Sequence, residues 1–306
     1  MPLPLPLRVA RDTISPAKLQ SQVYWSRFQA AGLRPRSMIL PQATLRLWQG
    51  GAERDPLLLI QGFGATALWQ WHSQVGPLAQ DRMLLVPDLP GFGGSRLHNG
   101  AYTLDAQVDV FVALLDRCGI DCADTVGISY GGFVAMRLAE RYPDRVRRLV
   151  LVDSPALGYT AEDYDDLLRR FNISDIGELL LPEKPEQIRR LLRVAWYKPP
   201  WTPAWVLPDV HRTLFCDKVA EKREMLADLL TLLRRPGGPP EAALSHQAMV
   251  LWGEHDPIFP VHLGARLAAR LGAALHTIPR TAHTPNMERP VIFNNLLSRF
   301  LRGSSG

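Results

Sequence analysis

One seven-residue stretch decides the fold: Val126-Gly127-Ile128-Ser129-Tyr130-Gly131-Gly132. It contains the motif Gly-x-Ser-x-Gly between an apolar run that predicts a buried strand and an amphipathic run that predicts a helix. In this context the serine lies on a tight turn, and glycines flank it because the strand and the helix leave no room for side chains. The turn lifts the Ser129 hydroxyl clear of the backbone and directs the N-terminus of the helix at it. The stretch therefore predicts a nucleophilic serine at the end of a buried strand.

Strand and helix patterns alternate on both sides of this motif. Apolar runs typical of strands covered on both faces lie at residues 57–60, 83–86, 125–128, 148–152, 248–252 and 274–278. Helical patterns lie at residues 67–80, 104–119, 131–142, 261–271 and 290–301. Before them, residues 15–31 predict a helix with Ser15 as its N-cap, and residues 37–40 with 43–48 predict a hairpin. The alternation predicts the α/β class, with a doubly wound and mostly parallel sheet.

The alternation is interrupted once, between residues 152 and 248. Proline clusters at 198–203 and 235–240 and helical patterns at 161–171, 185–195 and 217–233 fill this interval. A loop of that length without structure of its own is uncommon in a compact domain, so residues 156–242 are predicted to form an inserted helical cap. The predicted division is an N-terminal basic arm and helix at 1–35, a core formed by 36–155 and 243–302, and the cap at 156–242.

Composition and charge exclude several classes of protein. The 306 residues are 46% hydrophobic and 21% charged, which argues against disorder, and no apolar run reaches the roughly 18–20 residues that span a bilayer. No basic motif interleaved with aromatic residues and no metal finger is present, so nucleic acid is not an expected partner. Residues 1–54 carry eight Lys or Arg against two acids. This surplus leads to the hypothesis of a weak contact with an anionic membrane surface through the helix at 15–31.

Cysteine content and the first residues bear on location. The three cysteines cannot all pair with one another, and none belongs to a zinc-like Cys-x-x-Cys framework. Residues 1–7 are apolar but contain three prolines and no basic segment, unlike a secretory signal. These features predict a reduced, cytoplasmic setting.

A serine hydroxyl is a weak nucleophile unless a base accepts its proton and an acid orients that base. His283 lies in the loop after the last predicted strand, where its side chain can reach over the C-terminal edge of the sheet. Asp256 follows the strand at 248–252 and fits the order serine, acid, histidine. Asp153 follows the strand at 148–152 and stays the alternative acid. The predicted catalytic residues are therefore Ser129, His283 and Asp256.

The charge that develops on an ester carbonyl requires two fixed N–H donors. One is the backbone N–H of Tyr130, directly after the serine, and the other is the backbone N–H of Phe63 in the loop at 61–64. Glycines at 62 and 64 allow this loop to curl with its amides inward. No metal or organic cofactor is expected for this chemistry.

Four stretches carry a resemblance to a known family. They are residues 59–64 (LIQGFG), 86–95 (VPDLPGFGGS), 127–132 (GISYGG), and 251–257 (LWGEHDP) together with 282–283 (AH). In order and spacing the chain resembles the α/β-hydrolase superfamily over residues 36–302, in the cap-bearing esterase and lipase branch that includes bacterial lipases and monoacylglycerol-lipase-like enzymes. The family usually has His where this chain has Gln61, so the resemblance implies activity with altered hydrogen bonding in the oxyanion loop.

The resemblance implies a serine hydrolase that cleaves esters of apolar acyl or alcohol groups, with a small-molecule ester as its partner. The cap contributes aromatic residues that favour an apolar ligand: Phe171, Trp196, Tyr197, Trp201, Trp205 and Phe215. Ser129 excludes haloalkane dehalogenases and epoxide hydrolases, which use an aspartate at the elbow, and its neighbours differ from the G-G-S-W-G elbow of proline iminopeptidases.

Three alternatives stay open. Carbon–carbon bond hydrolases and cofactor-free perhydrolases or lactonases use the same triad. A carbon–carbon hydrolase acting on a dienoate acid should need a cationic group in its pocket. A hydrolase-like protein without activity is the third alternative.

Overall fold

The computed structural model describes residues 15–234 and 246–303. Within these residues nine strands form one sheet: β1 (Arg34–Ile39), β2 (Ala43–Gly51), β3 (Leu57–Ile60), β4 (Met83–Pro87), β5 (Arg96–Leu97), β6 (Ala123–Ile128), β7 (Val146–Val152), β8 (Gln247–Gly253) and β9 (Ala274–Ile278). The strand order is β1-β2-β4-β3-β6-β7-β8-β9, and β5 pairs with β2. The pairs β1–β2, β2–β4 and β2–β5 are antiparallel, and the pairs β4–β3, β3–β6, β6–β7, β7–β8 and β8–β9 are parallel. The predicted α/β class and the mostly parallel sheet are confirmed.

Helices cover both faces of the sheet. Those outside the β7–β8 connection are α1 (Pro16–Ala30), α2 (Ala67–Trp71), α3 (Val75–Leu78), α4 (Leu104–Arg117), α5 (Tyr130–Arg141), α11 (Val261–Leu271), α12 (Pro285–Glu288) and α13 (Pro290–Leu301). Those inside it are α6 (Ala161–Phe171), α7 (Gly177–Leu180), α8 (Ile188–Ala195), α9 (Leu207–Leu214) and α10 (Val219–Leu233). Short 3-10 turns occupy Pro143–Arg145, Ala156–Gly158, Pro185–Gln187 and Ala204–Val206.

Some predicted helices differ from the observed ones. The single helix predicted at 67–80 is two short helices, α2 and α3. Pro77 accounts for the break, because proline has no N–H for an internal helical bond and is tolerated in a first turn, where α3 places it. The helix predicted at 217–233 begins at Val219, since Lys218 adopts a left-handed φ of 51°. α7 and α9 have no counterpart in the predicted elements.

Alternate residues of the central strands enter separate cores. Leu58 and Ile60 of β3 face one cluster, which includes Phe111 of α4. Leu57 and Leu59 face the other, which includes Phe293 of α13. All of these strand side chains are fully buried. The two covered faces hold the sheet rigid, so the loops at its C-terminal edge start from fixed positions.

The helices α6 to α10 lie between β7 and β8, in the interval where the cap was predicted. We call residues 156–234 the cap segment. The proline cluster at 235–240, the predicted cap boundary at 242 and the arm at 1–14 lie outside the described residues. Among the helices of 15–234 and 246–303, none combines the length and the apolar character needed to cross a membrane.

Candidate active site

Ser129 lies on the turn that joins β6 to α5. Its backbone has a φ of 53° and a ψ of −122°, a conformation that costs a residue other than glycine about 1–3 kcal/mol. The flanking glycines allow the close approach: a β-carbon on Gly127 would lie 2.2 Å from the carbonyl oxygen of Gly131. One on Gly131 would lie 2.3 Å from the carbonyl oxygen of Gln61. The strained turn, which the two glycines make possible, places the Ser129 hydroxyl at the C-terminal end of β6.

The structure brings Ser129, His283 and Asp256 into one hydrogen-bonded line. The Ser129 Oγ atom lies 2.9 Å from His283 Nε2, although the residues are 154 positions apart. His283 Nδ1 lies 2.8 Å from Asp256 Oδ2. Because a carboxylate can only accept, Nδ1 carries the hydrogen and Nε2 is free to accept the serine proton. This is the arrangement that a serine nucleophile and its base require.

Backbone groups fix the orientation of Asp256. Its Oδ1 atom accepts hydrogen bonds from the N–H groups of Ile258 at 2.8 Å and Phe259 at 3.1 Å. Both Asp256 and His283 are buried, at 4% and 9% exposure. The ring of Phe259 also packs edge-on against the imidazole, with the centroids 5.6 Å apart. These contacts leave the Oδ2 atom directed at His283.

Asp153, the alternative acid, lies near Asp256 but forms no hydrogen bond with His283. Its Oδ1 atom accepts from the Gly253 N–H at 2.7 Å, and its Oδ2 atom has no partner among the described residues. Burial, and then the negative charge of Asp256, raise the pKa of Asp153 well above its ordinary value. Asp153 therefore holds its proton more tightly than an ordinary aspartate does.

The loop after β3 packs against the nucleophile. A β-carbon on Gly62 would lie 2.9 Å from the Cβ atom of Ser129. The Gly62 N–H donates to Gln70 Oε1 at 2.6 Å, and Gln61 Nε2 donates across the loop to the Ala65 carbonyl at 2.7 Å. The Gln61 side chain thus bridges the two ends of the loop. Gln70 holds the backbone of the same loop, a role that the sequence did not reveal.

The two predicted oxyanion donors are unused within the described part of the chain. The backbone N–H of Tyr130 is the first of α5 and has no partner there, and the N–H of Phe63 has none either. The side chains of these residues pack edge to face, with ring centroids 5.1 Å apart. Neither N–H group is therefore committed to a hydrogen bond within the described residues, and their role as oxyanion donors stays a prediction.

Two cavities open on Ser129. The large chamber has a volume of about 540 Å³ and the small chamber about 50 Å³, and Phe63, Ser129 and Leu180 line both. The cap segment lines the large chamber with Leu191, Leu192, Trp196, Trp201, Trp205 and Phe215. Apolar side chains line the small one, including Phe133, Tyr159, Leu226, Leu229, Leu230 and Phe259. No lysine or arginine of residues 15–234 or 246–303 lines either chamber.

Helix α1 also lines the large chamber, which the sequence did not predict. Pro16, Ala17, Gln20 and Tyr24 line it from one side of the helix. The Tyr24 ring stacks on His72, with centroids 3.8 Å apart, and burial lowers the pKa of this imidazole to about 4. His72 is therefore a neutral part of the same wall. Within residues 15–234 and 246–303, no cluster of three or more His, Cys, Asp or Glu could hold a metal ion.

Comparison with known proteins gives one family. The family model for the alpha/beta hydrolase fold matches residues 55–290. A 2-hydroxymuconate semialdehyde hydrolase from Pseudomonas sp. strain CF600 is 31% identical over 267 residues, which cover 80% of this chain and 86% of that protein.

Solved structures share the same architecture. A candidate lipase from Acinetobacter baumannii AYE aligns with a TM-score of 0.81 at 21% identity, covering 92% of this chain and 95% of that one. A bacterial membrane phospholipase A aligns with a TM-score of 0.76 at 25% identity, covering 94% and 92%. The first of these likenesses shows the fold alone, and the three proteins are named for different activities.

Proposed function

The chain belongs to the α/β-hydrolase family, and on that premise we propose that it is a serine hydrolase that cleaves carboxylic esters with an apolar acyl or alcohol group. One observation carries the proposal. The hydrogen-bonded line of Ser129, His283 and Asp256 opens on two chambers whose described walls contain no cationic side chain.

In the acylation step, Ser129 Oγ attacks the ester carbonyl carbon while His283 Nε2 accepts the hydroxyl proton. Asp256 holds the imidazole with Nδ1 protonated and stabilises the imidazolium that forms. The N–H groups of Phe63 and Tyr130 bind the oxyanion of the tetrahedral intermediate. His283 then gives its proton to the alkoxide, the C–O bond breaks, and the alcohol leaves an acyl-Ser129 ester.

Deacylation repeats these events with water as the nucleophile. His283 Nε2 removes a proton from the water, whose oxygen attacks the acyl carbon. The second tetrahedral intermediate uses the same two N–H donors, and His283 returns the proton to Ser129 Oγ as the acid leaves. Every proton therefore passes through Nε2, the atom that lies 2.9 Å from the serine.

The chambers favour one large and one small apolar group on the substrate. The large chamber lies within the range of about 300–1,000 Å³ that is typical of small-molecule sites. The small chamber, at about 50 Å³, has room for a short chain only. Burial of apolar substrate atoms would supply most of the binding energy, because the walls offer few charged partners.

A carbon–carbon bond hydrolase is the second candidate. It is supported by the 31% identity to the 2-hydroxymuconate semialdehyde hydrolase. A substrate of that kind carries a carboxylate, and burying an unpaired carboxylate against apolar walls is strongly unfavourable. The absence of a lysine or arginine from the described lining favours ester hydrolysis over carbon–carbon bond hydrolysis. Lactone hydrolysis and perhydrolysis use the same acyl-transfer steps and are variants of the proposal.

The test is a substrate panel. Initial rates are measured on p-nitrophenyl esters from acetate to longer acyl chains, and on a vinylogous 1,5-diketone acid. We expect ester turnover well above that of the diketone acid. Faster cleavage of the diketone acid would favour the second candidate.

Covalent labelling tests the nucleophile and the alternative of an inactive protein. A fluorophosphonate should label the chain, and Ser129→Ala should abolish both labelling and turnover. Ser26→Ala, at an exposed serine of α1, is the matched control and should change neither. Absence of labelling in the unaltered protein would favour a hydrolase-like protein without activity.

A further inference from the structure

A carboxylate of the cap segment binds the N-terminus of α1. The Ser15 Oγ atom lies 2.7 Å from both carboxylate oxygens of Asp209, which belongs to α9. The backbone N–H of Ala17, in the first turn of α1, donates to Asp209 Oδ2 at 2.9 Å. The first N–H groups of a helix lack partners within the helix, and the helix dipole favours a negative charge there. Asp209 therefore caps a helix that lies 192 residues before it in the chain.

This contact is buried and charged. Asp209 is only 8% exposed. Burial acts to raise the pKa of Asp209, but the hydrogen bonds from Ala17 and Ser15 and the nearby Arg212 outweigh it, so the pKa lies below its ordinary value. The carboxylate is thus ionised at neutral pH, and charge-assisted hydrogen bonds are about twice as strong as neutral ones.

Both helices that meet at Asp209 line the large chamber. α1 contributes Gln20 and Tyr24, and α9 contributes Val210 and Leu214. In the described part of the chain, all hydrogen bonds between α1 and α9 end on the carboxylate of Asp209. Asp209 is therefore the hydrogen-bonded link between these two walls of the chamber.

The other end of α1 is held by the core. Phe28 is fully buried, and its ring lies 4.9 Å from that of Trp48 on β2. Trp69 Nε1 donates to Ser21 Oγ at 3.1 Å. α1 is therefore fixed to the core along its length and to the cap segment at its N-terminus, and it connects the two.

We propose that Asp209 is a specificity-determining positioning residue, which sets the width of the large chamber by holding α9 against the N-terminus of α1. This role rests on the proposed ester hydrolysis, and it divides esters into those that depend on the contact between Asp209 and α1 and those that do not. Esters with a group long enough to reach between α1 and α9 depend on Asp209. Esters whose groups stay beside Ser129 do not.

The test compares two substrates in three variants. For Asp209→Ala we expect the KM for p-nitrophenyl decanoate to rise about tenfold, the loss of roughly 1.4 kcal/mol of binding, with kcat nearly unchanged. For p-nitrophenyl acetate, kcat/KM should stay within about twofold of the unaltered protein. Asp209→Asn keeps an oxygen that can accept from Ala17 and should recover part of the decanoate KM. Glu162→Gln, at an exposed acid in the first turn of α6, is the matched control and should change neither substrate.

A measurement independent of turnover accompanies the kinetics. Hydrogen–deuterium exchange of Asp209→Ala should be faster in the first turn of α1 and unchanged around Phe28, because the core contacts persist. An equal rise in KM for acetate and decanoate, or unchanged exchange in the first turn, would overturn the inference. Failure of the unaltered protein to hydrolyse any ester would instead overturn the proposed function, and the two failures are thus distinguishable.

Discussion

The backbone of Gly62 lies against the side chain of Ser129, so closely that a β-carbon on Gly62 would be 2.9 Å from the serine Cβ and 2.9 Å from the Ile128 carbonyl oxygen. Atoms of the nucleophile turn therefore determine where the loop after β3 can lie. The next residue in that loop is Phe63, whose N–H is the proposed second oxyanion donor. Because of this close contact at Gly62, the position of the Phe63 N–H depends on the position of Ser129.

Gly62→Ala should lower kcat by about 10- to 100-fold with little change in KM. The added methyl group meets backbone, which cannot move aside easily, so the loop and the Phe63 N–H must shift. Removing one oxyanion donor lowers kcat by about 10²–10³-fold, and a displaced donor should lose somewhat less. The measurement is steady-state kinetics on a p-nitrophenyl ester. Gly76→Ala is the control, because a β-carbon there meets no atom within 4 Å, and its kcat should not change.

Asp256→Asn and Asp153→Asn should differ strongly in activity. Asparagine at 256 removes the charge that holds Nδ1 of His283 protonated, and the resulting wrong tautomer should lower kcat by about 10⁴-fold. Asparagine at 153 replaces a carboxyl whose pKa is raised and which makes no bond to His283, so kcat should stay within a few-fold. Initial rates on the same ester measure both. Comparable losses in the two variants would contradict the assignment of Asp256 as the acid.

Gln61 should tolerate histidine better than leucine. Its Nε2 atom donates across the oxyanion loop to the Ala65 carbonyl, whereas its Oε1 atom has no partner in the described chain. Gln61→Leu removes the donor and should lower kcat about tenfold, the net worth of roughly one buried hydrogen bond. Gln61→His keeps a ring N–H and should retain most of the activity. Equal kcat values in the leucine and histidine variants would show that the hydrogen bond to Ala65 has no role in catalysis.

The hypothesis of membrane contact through α1 predicts that the chain sediments with anionic liposomes. Leu19 and Val23 are 50% and 48% exposed on this helix, and Lys18 is also exposed. Leu19→Ser with Val23→Ser should reduce sedimentation, because each change removes apolar surface from the helix. Point substitutions are preferable to truncation, since the fully buried Phe28 belongs to the same segment. Equal sedimentation of the two proteins would end the hypothesis.

Local patterns were sufficient for the position of Ser129 and for every described strand of the sheet except β5, whose two residues had not been predicted. The central parallel strands β3 and β6 are short runs that are buried on both faces, and the serine elbow has a motif that is confined to seven residues. His283 and Asp256 could be placed because parallel strands bring their C-terminal ends to one edge. The structure then brings all three side chains within hydrogen-bonding distance.

Long-range contacts between polar groups could not be predicted in the same way. Ser15 was recognisable as an N-cap, but no local pattern indicates that its hydroxyl would bind Asp209, 194 residues later. The role of Gln70 depends on the path of the loop that it supports, and α9 is only eight residues long, with a proline in its first turn. Contacts of this kind arise from the packing of elements that are distant in the chain, such as α1 on the cap segment, and the sequence patterns do not encode that packing.

Asp153→Asn should stabilise the protein, and more so as pH rises. In the folded chain, burial and the charge of Asp256 raise the pKa of Asp153 well above the value of about 4 that it has when unfolded. Between these two pKa values the folded state keeps a proton that the unfolded state has lost, so the free energy of unfolding falls as pH increases. Asparagine has no such proton. The backbone of Asp153 is left-handed, with a φ of 42°, and asparagine adopts this conformation readily.

The advantage of the variant should therefore grow by about 1.4 kcal/mol per pH unit above about pH 4, until the raised pKa of Asp153 is reached. Urea unfolding at about pH 5, 6 and 7 measures it, and an unchanged dependence on urea concentration would show that the unfolded states are comparable. A difference in the free energy of unfolding that does not vary with pH would mean that Asp153 is ionised in the folded protein. In that case its carboxylate would lie beside that of Asp256 without a compensating proton, and the raised pKa assigned to Asp153 would be wrong.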